Sequence, residues 1–436
     1  MIQQIIFVLL ATAAVALFGR KVAKIRRNIF LGRPTATPHS DQKIKRWAQM
    51  ARVALGQSKM TTRPVAAFFH VLIYVGFVLI NVEVAEIFID GALGTHRFFA
   101  PYLGSFYYVA ISFFEVLALL VIVACVVFFW RRNIQKLARF RSPELTMFPR
   151  TDANIILIVE VILMGALLLM NAAEANLQGN SYQTGGFLVS QYMALVFSGI
   201  SPETLHIVER ATWWAHILGI FAFLNYLPYS KHFHIVMAFP NTYYASLEPS
   251  GALSNMQSVT QEVKLMLDPN ANPYAATGEA APAERFGAKD VLDLSWKNLM
   301  DAYSCTECGR CTSVCPANIT GKKLSPRKIM MDTRDRLEEV SDLIAKNGKN
   351  YSDNKSLLGD YISTEEIRAC TTCNACVEAC PILINPLDII IELRRYNMME
   401  ESNVPSEWAG MFGNIENNGA PWAFAAADRQ SWAKKG

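Results

Sequence analysis

The sequence predicts an all-α protein in which a five-helix transmembrane bundle is followed by a helical, cysteine-rich domain in the cytoplasm. The 436 residues are 52% hydrophobic and only 18% charged, whereas soluble domains average about 25% charged residues. Eight of the nine cysteines fall in two tight groups near the C-terminus, which is typical of metal sites in a reducing compartment and not of a disulfide framework. The net charge of +4 is too small to indicate a nucleic-acid-binding protein.

Five apolar stretches are long enough to cross the hydrocarbon core, which takes about 20 helical residues. They are Ile2–Phe18, Val65–Ile89, Leu103–Trp130, Ile155–Ala173 and Ala211–Tyr229. The first has the length of a cleaved signal peptide, but no positive charge precedes it and basic residues follow it directly. We therefore interpret it as a membrane span.

The loops between the spans alternate in charge. Lys and Arg are concentrated in 19–64 and 131–152, whereas 90–102 and 174–209 contain Arg97 as their only Lys or Arg before the next span. Because basic loops stay in the cytoplasm, we expect the N-terminus outside and everything after about Lys231 inside. The chain is predicted to be a multi-pass protein of a bacterial or archaeal inner membrane.

The composition divides the chain into four parts. We predict a membrane domain at 1–237, a linker rich in Pro, Asn, Ala and Gly at 238–295, a cluster-binding domain at 296–400 and a docking tail at 401–436. One short amphipathic helix is expected in the linker around Val259–Leu267.

Two cysteine runs, 305–316 (the first motif) and 370–381 (the second motif), share the spacing C-x₂-C-x₂-C-x₃-C-P. This spacing is typical of bacterial ferredoxins with two [4Fe–4S] clusters, in which the fourth cysteine of each run binds the other cluster. Zinc is the alternative, but zinc sites need only paired CxxC motifs. The spacing assigns to cluster 1 Cys305, Cys308, Cys311 and Cys380, and to cluster 2 Cys370, Cys373, Cys376 and Cys315.

The segment between the motifs is predicted to be helical. Ser325–Gly348 begins with Ser-Pro and ends on glycine, and Ser363–Cys370 begins with a capping serine and acids in the first turn. The cluster domain therefore resembles the α-helical ferredoxin domains of succinate dehydrogenase iron–sulfur subunits and of heterodisulfide reductases.

Histidines within membrane spans are costly and usually functional. His70 lies near the cytoplasmic end of span two, and His234 lies at the same depth after span five, so the two are predicted to clamp one haem b. His232 is the second choice. His216 is 18 residues before His234, roughly 27 Å along a straight helix and on the same face, although Pro228 is placed to kink that helix.

The run from His216-Ile-Leu-Gly to His232-Phe-His234 looks like the last span of respiratory nitrate reductase gamma subunits and of related heterodisulfide-reductase-type membrane subunits. The resemblance implies two stacked haems, each ligated once from this helix and once from span two. His70 matches the inner ligand, but Ile80 stands where the outer ligand falls. Two alternatives stay open: a single haem, or a second haem in which His216 pairs with another residue such as His96.

Glu83 and Glu86 fall in the outer half of span two. Quinol oxidation releases protons, so buried carboxylates there are candidates for a quinone site. The alternative is that these carboxylates pair with nearby basic or amide side chains.

The tail contains Asn-Gly-Ala-Pro-Trp at 418–422. This run resembles the signature before the cysteine-rich CCG domains of heterodisulfide reductase catalytic subunits. The resemblance implies a separate CCG-domain iron–sulfur subunit as partner. The aromatic residues expected either to contact that partner or to pack on the cluster domain are Trp408, Trp422, Phe424 and Trp432.

These features predict an electron-transfer oxidoreductase subunit of a respiratory chain. It would pass electrons between menaquinone or ubiquinone and a cytoplasmic partner through haem b and two [4Fe–4S] clusters, with the catalytic site on the partner chain. Two alternatives are a quinone-linked acceptor for an electron-transferring flavoprotein or dehydrogenase, and a membrane redox sensor.

Overall fold

A computed structural model describes residues 1–35, 41–178, 186–249, 251–270, 285–348 and 352–434. In these residues the fold is all α, as predicted, and two isolated bridges are the only β-type pairing. The α-helices of this part of the chain are α1 Ile2–Ile29, α2 Lys43–Met50, α3 Pro64–Leu93, α4 Ala100–Leu103, α5 Ser105–Asn133, α6 Met147–Gln178, α7 Ser190–Ala194, α8 Pro202–Tyr226, α9 His234–Tyr243, α10 Gln257–Leu267, α11 Trp296–Ser304, α12 Arg310–Val314, α13 Pro316–Ile319, α14 Pro326–Asn347, α15 Thr364–Arg368, α16 Ala375–Glu378, α17 Pro386–Arg395 and α18 Ser406–Asn418.

Five of these helices, α1, α3, α5, α6 and α8, are long and apolar enough to cross a membrane. They contain the five predicted spans, and each helix is several residues longer than its apolar run. The polar ends are consistent with helices that continue into the interfaces on both sides. The prediction of a membrane helix bundle is confirmed.

The five helices form a ring. α1 packs against α3 and α8, α5 packs against α3 and α6, and α6 packs against α8. In the interior, the buried Phe7 ring of α1 contacts the rings of Phe88 (5.7 Å between centroids), Trp213 (5.8 Å) and Phe221 (5.9 Å). These aromatic side chains fill the space that α1, α3 and α8 enclose.

The fifth span does not continue as a straight helix to His234. α8 ends at Tyr226, short 3₁₀ turns occupy 227–229 and 231–233, and α9 begins at His234 itself. Pro228 contributes to this break because it has no backbone N–H to donate. The expected shared face of His216 and His234 on one straight helix is therefore wrong.

Asp152 of α6 stabilises the break. Its carboxylate accepts hydrogen bonds from the Tyr226 hydroxyl (2.5 Å), the Ser230 hydroxyl (2.7 Å) and the Lys231 backbone N–H (3.1 Å). A buried carboxylate thus satisfies groups that an unbroken helix would have used internally.

The cluster domain packs on the end of the bundle that carries the basic loops. Asn28 at the end of α1 donates to the Tyr303 hydroxyl of α11 (3.0 Å), and Arg33 exchanges backbone hydrogen bonds with the 294–296 segment. The helix starts follow the predicted caps: Ser325 accepts from Lys328 N–H, and Ser363 forms a capping box with Glu366.

The segment 238–295 is only partly linker-like. Its start belongs to α9, where Asn241 is buried and donates to the Ile382 carbonyl (2.9 Å). Its end, including Val291 and Leu294, is fully buried in the cluster-domain core. The expected short helix is α10. The Pro- and Ala-rich stretch 271–284 and His39 lie outside the described residues.

Candidate cofactor sites

The two cysteine motifs repeat the same backbone turn. Glu307 and Thr372, each two residues after the first cysteine, have φ of 52° and 55°. Gly309 and Asn374, each directly after the second cysteine, have φ of 70° and 59°. These left-handed residues turn the chain twice within seven residues, and a short helix, α12 or α16, then carries the third cysteine.

The cysteines of the second motif and the last cysteine of the first motif line one pocket, formed by Cys315, Cys370, Cys373 and Cys376 with Pro316 and Leu387 among its walls. Burial, and then the nearby Cys370, Cys315 and Cys373 thiols, raise the pKa of Cys376 to about 12. This is the set that the spacing assigns to cluster 2.

The remaining cysteines form a second group. Burial first, and then Cys308, Cys305 and Cys380, raise the pKa of Cys311 well above its usual value. Burial also raises the pKa of Cys305 to about 12. Thiols with such high pKa values become thiolates only when a metal replaces the proton. The group corresponds to the set that the spacing assigns to cluster 1.

All these cysteines are free thiols. In the described residues, no three metal-binding side chains lie close enough to share a single ion, although four cysteines surround one pocket. A polynuclear cluster, whose irons stand apart, therefore fits these thiols better than one tetrahedral zinc ion does.

The first motif is enclosed by protein. Glu307, between Cys305 and Cys308, forms ion pairs with Lys231 (2.5 Å) and Arg334 (2.8 Å). Burial alone would raise the pKa of Glu307, but the two cations hold this pKa below its usual value.

Two further arginines join the first motif to the loops of the bundle. Arg310 donates to the Lys59 carbonyl (3.0 Å). Arg327, whose side chain is fully buried, pairs with Glu144 (2.7 Å) and donates to the Arg139 carbonyl (2.7 Å). The first motif thus faces the basic loops of the membrane domain.

The second motif faces solvent. Cys373 is exposed. Arg394 supports the motif from beneath by donating to the carbonyls of Ile367, Arg368 and Cys370. A pocket beside Cys370 has Trp408 at its rim.

The predicted haem histidines come together at the same end of the bundle. The His70 and His234 rings are 6.4 Å apart between centroids, and the His232 ring is 5.6 Å from that of His234. His234 Nδ1 is 3.0 Å from the Lys231 carbonyl oxygen. Since a carbonyl only accepts, Nδ1 carries the proton and Nε2 keeps its lone pair for a metal.

This imidazole pair fits a bis-histidine haem. His70 Nδ1 is a buried nitrogen without a hydrogen-bond partner in the described part of the chain. Two imidazoles on opposite sides of one metal, with bonds of about 2.0–2.1 Å, have centroids roughly 6 Å apart, close to the observed 6.4 Å. His232 instead packs its ring against Phe223 (5.4 Å).

His216 is not brought to another histidine within the described residues. Its Nδ1 donates to the Leu163 carbonyl of α6 (2.9 Å), and its buried Nε2 has no partner there. His96 instead contacts Glu174 (3.0 Å) outside span two. Ile80 is buried. The structure therefore does not bring together the His216–His96 pair that was one alternative for a second haem.

Glu83 and Glu86 are buried in a polar network at the other end of the bundle. Glu86 accepts from the Phe99 N–H (2.8 Å) and the Tyr107 hydroxyl (2.6 Å). Glu83 pairs with Arg97 (3.2 Å) through one oxygen, and its Oε2 has no partner among the described residues. The expected pairing with basic and hydroxyl groups is present, and Glu83 alone of the two retains an unsatisfied oxygen.

Sequence reasoning missed four functional candidates. Arg97 is buried and joins Glu83 to Glu174, and its signal was its position as the lone Lys or Arg in the outer loops. Glu307 and Arg310 were visible as charged residues inside a cysteine motif, and Lys231 as a base beside His232. The partners of these side chains are distant in the chain and needed the fold.

Residues 304–384 match the family model described as a 4Fe-4S dicluster domain. This range includes all eight motif cysteines, so the prediction of an iron–sulfur domain is confirmed. No solved structure matches the chain.

Among curated proteins, the chain is 29% identical to the "Probable iron-sulfur-binding oxidoreductase FadF" of Bacillus subtilis, over 98% of this chain and 60% of that protein. It is 27% identical to the "EtfAB:quinone oxidoreductase" of Syntrophomonas wolfei, over 87% and 52%. It is 34% identical to one subunit of the ferredoxin- and F(420)H(2)-dependent CoB-CoM heterodisulfide reductase of Methanosarcina acetivorans, over 27% and 60%.

The chain spans between half and two thirds of the length of these relatives. Together with the five apolar helices, the matches identify it as similar to membrane-anchored iron–sulfur oxidoreductases of electron transfer.

Proposed function

We propose that this chain carries electrons between a membrane quinone and a cytoplasmic redox partner, through one haem b and two [4Fe–4S] clusters. The observation that carries the proposal is the position of the His70–His234 pair, which lies at the end of the bundle where the first cysteine motif contacts the basic loops. A haem at this pair would supply a one-electron centre directly beside the first cluster.

The surroundings of the motifs support an order of transfer. Cluster 1, held by Cys305, Cys308, Cys311 and Cys380, would be the inner station because its loop is enclosed against the bundle. Cluster 2, held by Cys370, Cys373, Cys376 and Cys315, would be the outer station because Cys373 reaches the surface.

The nitrate-reductase-gamma-like resemblance supports the haem, and the packing favours one haem over two. The aromatic side chains of Phe7, Phe88 and Phe221 fill the space between α1, α3 and α8. His216 is turned to the α6 backbone. We therefore propose His70 and His234 as ligands, with His232 and His216 outside the ligand set.

For the quinone site we retain Glu83 and favour it over Glu86. The Glu86 carboxylate already accepts two hydrogen bonds, whereas Glu83 Oε2 is buried and unpaired among the described residues. An oxygen in that state is a suitable acceptor for a proton released on quinol oxidation.

The basic loops and the cluster domain occupy one end of the bundle. This arrangement supports an N-terminus outside and a cluster domain in the cytoplasm, since basic loops remain on the cytoplasmic side.

The test is a pyridine haemochrome assay combined with iron and sulfide analysis on detergent-purified protein. We expect one haem b, eight irons and eight sulfides per chain, since each cubane contains four of each. Anaerobic addition of menaquinol should reduce the haem. Absence of haem b, or EPR-silent reduced protein containing zinc, would reject the proposal. Two haems per chain would restore His216 as a ligand.

The partner has two candidates. The tail signature at 418–422 supports a CCG-domain iron–sulfur subunit, with exposed Trp422, Phe424 and Trp432 as contacts. The similarity to the EtfAB:quinone oxidoreductase over 87% of the chain favours an electron-transferring flavoprotein as the second candidate. Cluster reduction by a purified flavoprotein, measured against co-purification of a CCG-domain protein, separates them. A protein that menaquinol cannot reduce would instead favour the redox-sensor alternative.

A further inference from the structure

Lys231 contacts both cofactor regions at once. Its backbone carbonyl accepts the Nδ1 hydrogen bond of His234 (3.0 Å), and its ammonium group pairs with Glu307 of the first motif (2.5 Å). One residue therefore joins the backbone around the imidazole pair to the loop between Cys305 and Cys308.

The position of Lys231 is fixed on the membrane side. Its N–H donates to Asp152 (3.1 Å) and its ammonium donates to the Pro149 carbonyl (2.6 Å). Its side chain is 11% exposed. A lysine fixed at both its backbone and its side chain has few alternative rotamers, so its contact with Glu307 defines a geometry.

Glu307 is equally constrained on the cluster side. It has a φ of 52°, which a non-glycine residue adopts only at a cost. Its side chain is 3% exposed and is held between Lys231 and Arg334. Removal of one cation leaves a buried charge less compensated, which is strongly unfavourable.

Resting on the proposed function, we propose that the Lys231–Glu307 pair holds the first motif against the imidazole pair and thereby sets the rate of electron transfer between haem and cluster 1. The step moves one electron: the haem iron and the cluster exchange one oxidation unit, no bond is made or broken, and no proton is transferred. Lys231 and Glu307 are positioning residues, because neither touches the reacting irons.

The test uses the full-length protein in detergent, with the variants Lys231→Met and Glu307→Gln. Oxidised protein is mixed with limiting dithionite, which reaches the exposed cluster first, and the haem and cluster spectra are followed separately. We expect haem reduction to slow by about tenfold or more, because displacements near 1 Å are enough for losses of up to ~100-fold. Cluster reduction should keep its normal rate.

Lys24→Met is the matched control. Lys24 forms an ion pair with Asp342 (2.5 Å) that also joins the bundle to the cluster domain, but on α14 and away from the cysteines. This control should leave haem reduction unchanged. Lys231→Arg should restore most of the rate because it keeps the charge.

Amide hydrogen exchange of 304–312 gives a second readout that needs no redox activity. We expect faster exchange in Lys231→Met and Glu307→Gln and unchanged exchange in Lys24→Met. Haem reduction and exchange equal to wild type in both variants would overturn the inference. A wild-type protein without haem would reject the proposed function instead, while the exchange data would still decide whether the pair holds the motif.

Discussion

The two cysteine motifs have the same spacing and the same pair of left-handed residues, but opposite surroundings. Between its cysteines the first motif carries Glu307 and Arg310, which bind residues of the membrane domain. At the corresponding positions the second motif carries Thr372 and Ala375 and leaves Cys373 exposed. The spacing alone selects the kind of cofactor, and the residues between the cysteines decide what the cofactor faces.

The first way to test this comparison is to remove the crossed ligands. In the proposed sets, Cys315→Ser in the first motif removes the exposed cluster, and Cys380→Ser in the second motif removes the enclosed one. Each variant should lose about half of the iron, as four of eight atoms belong to each cluster. The cluster that remains should react slowly with dithionite in Cys315→Ser and rapidly in Cys380→Ser.

Cys125→Ser is the control for these variants. Cys125 is buried in α5, outside both motifs, so its iron content and dithionite rates should match those of the wild type. If Cys315→Ser instead kept the rapidly reacting cluster, each motif would bind its own cluster, and the crossed assignment would be wrong.

The second test compares the arginine beneath each motif. Arg327→Met removes the partner of buried Glu144 and the donor to the Arg139 carbonyl. We expect it to lower the free energy of unfolding of the cluster domain by about 3–5 kcal/mol, as for a broken buried ion pair. Arg394→Met removes only donations to carbonyls from a half-buried side chain, and about 1–3 kcal/mol is expected.

Denaturation followed by tryptophan fluorescence measures both variants against wild type. Faster hydrogen exchange in the basic loop 131–146 is expected for Arg327→Met alone, because Arg327 reaches the membrane domain and Arg394 does not. Equal losses of stability would mean that the two motifs are supported alike and would remove the contrast between them.

The local parts of this structure could be predicted from sequence, because their causes lie within a few residues. The apolar runs gave the five spans, and Ser325 and Ser363 gave helix starts. The cysteine spacing gave the cluster domain, which the family match confirms. Each of these signals is complete within one helix or one turn.

The parts that failed depend on contacts between distant segments. The break after Tyr226 is stabilised by Asp152, 74 residues earlier, and a helical pattern cannot report such a partner. Glu83 was predicted as a lone membrane carboxylate, yet Arg97 reaches back over it from the following loop. The sequence identified the unusual residues, and only the fold shows which of them are paired.

The smallest effect concerns the residue after the second cysteine of each motif. A Cβ at Gly309 would lie 2.6 Å from Arg327 Nη1 and 3.2 Å from the Arg139 carbonyl oxygen, whereas Asn374 already has a side chain at the same backbone angle. Gly309→Asn, which copies the second motif, should therefore displace Arg327 and lower the free energy of unfolding by about 1–2 kcal/mol. Asn374→Gly should change it by less than about 1 kcal/mol, since it loses little more than backbone restriction. The same denaturation assay measures both. Equal tolerance of the two exchanges would show that the left-handed turn alone requires glycine, and that close contact with the membrane domain imposes nothing further on the first motif.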